Sequence, residues 1–122
     1  MSETVVTFEP HDEIVHGVIQ VNRLEEESSA EMQTAVMEAA AEDRARPVVL
    51  DLSQLEFVPS LALGAIVRAY SDCKKHGQRF IVVGPQPSVR SALAVTRLDK
   101  LLVIHDNVNE ALAKIRQGAT PE

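Results

Sequence analysis

Tryptophan is absent, and the 122 residues include one tyrosine and three phenylalanines. That leaves no set of aromatic rings on which successive bases of a single strand could stack. Basic runs are missing too, and the net charge is −6, so phosphate backbones and anionic lipid surfaces find no electrostatic partner. The lone cysteine, Cys73, cannot close an internal disulfide, which fits a reducing compartment. No apolar run reaches the roughly 20 residues of a membrane-spanning helix. The acidic opening MSETVVTFEPHDE lacks the basic and apolar blocks of a signal peptide. Histidines 11, 16, 76 and 105 are dispersed without ligand spacing, so no metal is expected. Gly84-Pro85-Gln86-Pro87 has one glycine and two residues lacking an N–H, so it is no phosphate loop, and no cofactor is expected. The expectation is a soluble cytoplasmic protein without nucleic-acid or membrane partners.

What is present is aliphatic. Apolar residues make up 45% of the chain, mostly Ala, Val, Leu and Ile, enough for one real core. The length predicts a single domain over residues 1–122, with its core at about 5–115 and a frayed tail at 118–122. Residues 4–8 and 14–21 read as strands around a turn at 9–12, with Gly17 as a bulge. A charged connector at 23–27 leads to a helix capped by Ser28 or Ser29 and running to about Glu42. A strand at 48–52 and a helix from Ser60 to His76 follow, the helix stopped by Gly77. Then come a strand at 79–83, a helix at 88–96 entered through Pro87, and a strand at 101–104. Asn107 caps a last helix at 108–117. The order ββαβαβαβα predicts an α/β fold: a mixed sheet of four to five strands with about four helices and an antiparallel opening hairpin. Sites in such sheets form at loops after strand carboxyl ends.

The stretch PVVLDLSQLEFVPSLALG, residues 47–64, organises the rest. A buried strand runs into a short connector, and Pro59-Ser60 opens a helix. Ser60 either caps that helix through its side chain or presents a modifiable hydroxyl at the positive end of the helix dipole. Gly64, within the first turns, predicts a close backbone approach, because glycine otherwise costs a helix about 1 kcal/mol. Asp51 is expected to cap a turn through Ser53, and Cys73 to be a packed thiol. Glu25, Glu26 and Glu27 read first as a solvated run. No nucleophile–base pair, metal cluster or paired acids point to catalysis.

The chain resembles the STAS domain family, which includes the bacterial anti-sigma factor antagonists, over about residues 5–115. The likeness rests on the VLDLS strand, the F-x-x-S-x-x-L-G turn into a helix, the HGQRFIVVG return and the LDKLLVIHDNVNEAL ending, in that order and spacing. The resemblance implies a non-enzymatic regulatory module that binds a serine-kinase-type anti-sigma factor and so frees a sigma factor. It implies control by phosphorylation of a serine at the loop-to-helix junction, reversed by a phosphatase. The antagonists commonly read Asp-Ser-Ser-Gly-Leu-Gly there, whereas this chain reads Pro59-Ser60-Leu61-Ala62-Leu63-Gly64. The preceding Asp is Pro59 and the usual acceptor is Leu61. Ser60 matches the acceptor position of the stressosome branch. Glu25 stands where many members carry an aspartate. The implied binding surface is Glu25, Phe57, Val58, Pro59, Ser60, Leu61 and Ala62, with Ser60 as the phosphorylation site. Two alternatives stand beside it: an unregulated scaffold in a stressosome-like or homotypic assembly, with this chain as a homo-oligomer, and a small-molecule or nucleotide-binding domain.

Overall fold

A computed structural model describes residues 4–118. Five strands form one sheet whose spatial order equals their order in the chain. Strand β1 (Val6–Glu9) pairs antiparallel with β2 (Val15–Ile19). Strands β3 (Val48–Asp51), β4 (Phe80–Val83) and β5 (Val103–His105) continue parallel to β2. Each parallel join needs a crossover, and a helix supplies it: α1 (Glu26–Glu42), α2 (Ser60–Lys75) and α3 (Pro87–Val95). Helix α4 (Val108–Arg116) follows β5. The order ββαβαβαβα expected from the sequence is the order found.

Strand alternation divides the core in two. Val48, Leu50 and Val82 face Met32 and Val36 of α1, Ala65 and Ile66 of α2, and Val89 and Leu93 of α3. Val49, Ile81 and Val83 face Ala111 and Leu112 of α4. Every residue of β4 is buried, because helices cover both of its faces. That accounts for an unbroken FIVV where a one-sided strand would alternate. Among the described residues no helix is long and apolar enough to cross a membrane.

Four details depart from the sequence reading. Helix α1 starts at Glu26 with Glu25 as its N-cap, so neither Ser28 nor Ser29 caps it. Instead the Glu25 N–H donates to Ser28 Oγ at 2.7 Å, and Ser29 is buried against the core side. Gly17 makes no bulge: it pairs in register with Phe8 and with Leu50. A Cβ there would stand 3.1 Å from Phe8 Cε1, so the glycine makes room for the ring. A 3₁₀ turn, Leu98–Lys100, entered through Arg97 at φ 64°, separates α3 from β5. It takes the amides of Leu101 and Leu102 onto the Leu98 carbonyl, so β5 begins at Val103 rather than 101. Gly64 does not approach another backbone; a Cβ there would meet the Arg68 guanidinium at 3.4 Å, ordinary contact with a movable side chain. The expected tail at 118–122 lies, beyond Gly118, outside the described residues.

Candidate functional site

The loop from β3 to α2, residues 52–59, crosses the carboxyl ends of the parallel strands and is pinned from both sides. Toward β2, the Asn22 carbonyl accepts from the N–H groups of Glu56 (2.6 Å) and Phe57 (3.2 Å). Toward α3, Ser88 Oγ donates to the Glu56 carbonyl at 2.7 Å and Gln86 Nε2 to the Ser53 carbonyl at 2.8 Å. Asp51 Oδ1 accepts from the Ser53 N–H at 2.8 Å, the turn cap expected of it. Below, Leu52 and Leu55 are fully buried. A loop tied on two sides and filled from beneath presents its outer residues in a fixed geometry.

Those outer residues are Phe57 and Leu61, 49% and 48% exposed, with Ser60 exposed between them. Pro59 is the N-cap of α2, its carbonyl accepting from the N–H groups of Ala62 (2.9 Å) and Leu63 (3.0 Å). Ser60 is therefore the first helical residue, one position too late to act as the cap, and no side chain caps this helix. The amides at the start of α2 point outward along the dipole, and the first turn holds no acidic residue. An added anion at Ser60 would be compensated by the helix itself.

The structure splits the residues expected on the binding surface. Glu25, Phe57, Ser60 and Leu61 are exposed and Pro59 is partly so. Val58 (7% exposed) and Ala62 (fully buried) belong to the core, which corrects their place on that surface. The inward pull of the strand–helix packing claims them, and they support the loop from beneath.

Arg23 was legible only as part of a charged connector, yet it joins the two halves of the site. Its guanidinium lies 4.8 Å from the centre of the Phe57 ring, and its Nε is 3.0 Å from Glu25 Oε2. A backbone bridge pairs Arg23 with Phe57. The signal available in the sequence was an arginine two residues before an acid, too common to single out. Beside this triad an acidic hollow of about 620 Å³ is lined by Arg23, Glu25, Glu26, Glu27 and Glu31. Cys73 lies far along α2, fully buried, and burial pushes its thiol up to about 11. Among the described residues no three His, Cys, Asp or Glu side chains gather as metal ligands.

A fold of this topology, with a helix start exposed after β3, places the chain among known proteins. The family model described as the STAS domain matches residues 18–111, and the chain belongs to that family. A Thermotoga maritima protein named as a candidate anti-sigma factor antagonist is 33% identical over 70 residues, which is 57% of this chain and 62% of that protein. The chain thus matches less than two thirds of that relative's length. The crystal structure of a candidate anti-sigma factor antagonist from Thermotoga maritima superposes with a TM-score of 0.78 at 25% identity, over 91% of this chain and 94% of that one. The phosphorylated form of the Bacillus cell fate determinant SpoIIAA shares the fold with a TM-score of 0.66 at 16% identity, over 90% and 98% of the two chains. These likenesses are to proteins named as anti-sigma factor antagonists, and what is shown of this chain is its membership of the STAS family.

Proposed function

We propose that the chain, acting as one module over residues 1–122 in the cytoplasm, works by binding rather than turnover. Its partner is a serine-kinase-type anti-sigma factor, which it captures through Glu25, Phe57 and Leu61. The observation that carries this reading is the pair of half-exposed apolar side chains flanking the Ser60 hydroxyl on a loop pinned from both sides. Apolar anchors in a rigid frame are what a protein interface is built around. Ser60 is the acceptor if the module is phosphoregulated, with a phosphatase as the reversing partner. A phosphate there brings about −1.5 to −2 charge between Phe57 and Leu61. Docking would then have to desolvate a dianion where the free protein offers apolar surface, while α2 itself tolerates the charge at its N-terminus.

Pro59 supports a second reading, an unregulated scaffold. It leaves no carboxylate before Ser60 and fixes the backbone at the helix entry (φ −75°). The two readings separate on phosphorylation state. Mass spectrometry of the protein isolated from its own cells is expected to find phosphate on Ser60, together with a co-purifying serine kinase. Phosphate found elsewhere alone, or none under any growth condition, would leave the scaffold reading standing.

A further inference from the structure

Strand β1 is an edge of the sheet, paired with β2 on one side only. The Gln20 N–H donates to the Val5 carbonyl at 2.7 Å, which fixes the phase of the ladder. Val5, Thr7 and Glu9 turn their main-chain groups to β2, and Val6 and Phe8 turn theirs to the open side. Edges are ordinarily blunted by a lysine, a proline or a bulge. Strand β1 reads Val-Thr-Phe-Glu, pairs in unbroken register and has none of these. Its one aromatic side chain, Phe8, is left 39% exposed.

Beside this edge, between the strand and α1, lies a hollow of about 630 Å³. Phe8, Val15, Ala35 and Ala39 line its apolar wall, and Glu38 and Glu42, both exposed, stand on its rim. Ala35 and Ala39 lie one turn apart on one face of α1, and their small side chains leave space that a larger pair would fill. The bases nearby are engaged. Arg46 Nε is 2.8 Å from Asp43 Oδ2, its Nη1 donates to the His11 carbonyl, and His11 Nδ1 accepts from the Glu13 N–H at 3.0 Å. Among the described residues, neither Glu38 nor Glu42 has an ion-pair partner. Helix α1 closes on Glu42 with no base in its last turn. The carboxyl end of a helix favours cations, so these carboxylates add to a negative field that the chain leaves uncompensated.

We infer that the β1 edge and the flank of α1 together form a docking groove for an extended, cationic segment of another protein, which joins the sheet as a further strand. The main-chain groups of Val6 and Phe8 hold that strand by β-augmentation. Its side chains alternate, so every second one faces α1. One of these is aliphatic and enters the hollow beside Phe8 and Ala39. The next on the same face, two residues along, is Lys or Arg and reaches Glu38 or Glu42. The groove adjoins Glu9, which pairs with His16 near the start of β2, so it lies toward the amino ends of the parallel strands. Ser60 follows the carboxyl end of β3. This partner is therefore independent of the proposed anti-sigma factor, and both can be held at once.

A display library of random short peptides, panned on the full chain, tests this. The recovered sequences are expected to carry an aliphatic residue two positions from a Lys or Arg. The strongest of them, made as a free peptide, is expected to slow amide exchange at Val6 and Phe8. Its affinity is expected to fall at least about tenfold when its central amides are N-methylated, and as far against Ala39→Leu, which fills the hollow, and against Glu38→Lys with Glu42→Lys. Circular dichroism checks that the variants fold; the two glutamates are exposed, so the charge variant carries the test if Ala39→Leu does not fold. Leu61→Glu, at the other end of the sheet, is expected to bind the peptide as wild type does, which separates this groove from the anti-sigma surface. No enriched sequence, recovered peptides without the pattern, protection confined to other amides, or full affinity for the charge variant would each overturn the proposal. Protection of Val6 and Phe8 that grows with wild-type concentration in the absence of peptide would mean that a second copy covers the edge, and would overturn it equally.

Discussion

At the scale of single residues, the chemistry of the site lies in position more than in unusual side chains. Ser60 matters because it is the first residue of α2, exposed, with uncapped amides behind it. Arg23 matters because one guanidinium serves both Phe57 and Glu25. Exposed cation–π contacts contribute about 0.5–1 kcal/mol, so Arg23→Ala should lower stability by no more than that. Urea unfolding measures it; a loss of several kcal/mol would mean that Arg23 has a structural role the exposed contacts do not explain. Cys73 offers a sharper test. Its thiol is raised from 9.0 to about 11, first by burial and then by the Asp72 carboxylate. In the native protein it should react slowly with disulfide reagents at mildly alkaline pH and fully once unfolded. The unfolded chain loses this proton near its ordinary value and the folded one only near 11. Between those values the folded state binds more protons, so stability should fall as pH rises through that window. Rapid native labelling would contradict the burial.

At the scale of elements, the sequence was readable where local rules act alone. Gly77 at φ 70° after α2, Pro87 opening α3, and the Asn107 side chain accepting from the Glu110 N–H at 2.8 Å all follow from local chemistry. The misreadings have two causes, a partner distant in sequence and a competing local bond. Gly17 accommodates Phe8 across the hairpin, Val58 and Ala62 turn inward under packing, and Arg23 finds Phe57 thirty-odd residues away. Nothing local marks those pairings. The α1 start was misplaced because Glu25 and Ser28 exchange the usual roles of a capping box. Gly64 now predicts the opposite of a packed glycine: Gly64→Ala should raise stability by about 0.5–1 kcal/mol, since its Cβ would meet only Arg68. Denaturant titration checks it, and a loss would show that the position is tight. Gly17→Ala should destabilise by about 1 kcal/mol through overpacking against Phe8. The double variant Gly17→Ala with Phe8→Ala should recover part of that loss. Helix α4 is tied to the hairpin turn by Arg116, whose Nε lies 3.1 Å from Glu13 Oε2. That hydrogen bond holds the Glu13 carboxyl below its usual range, so the tie persists above the ordinary carboxylate value and is released as pH falls through the lowered one.

At the scale of the whole molecule, one topological fact organises the rest. Parallel strands laid side by side in chain order put every helix start at one end of the sheet, and the loop bearing Phe57, Ser60 and Leu61 stands there. The core beneath is continuous and the loop is pinned, so a partner meets a surface already formed. A charge placed on that surface need not unfold anything to change affinity. The direct measurement is calorimetric titration of the proposed partner, a serine-kinase-type anti-sigma factor, into wild type, Ser60→Ala and Ser60→Asp, each checked for equal thermal stability. The account predicts that Ser60→Ala binds as wild type does and that Ser60→Asp, equally stable, binds at least about tenfold more weakly, near 1.4 kcal/mol. Equal binding by Ser60→Asp and wild type would contradict it.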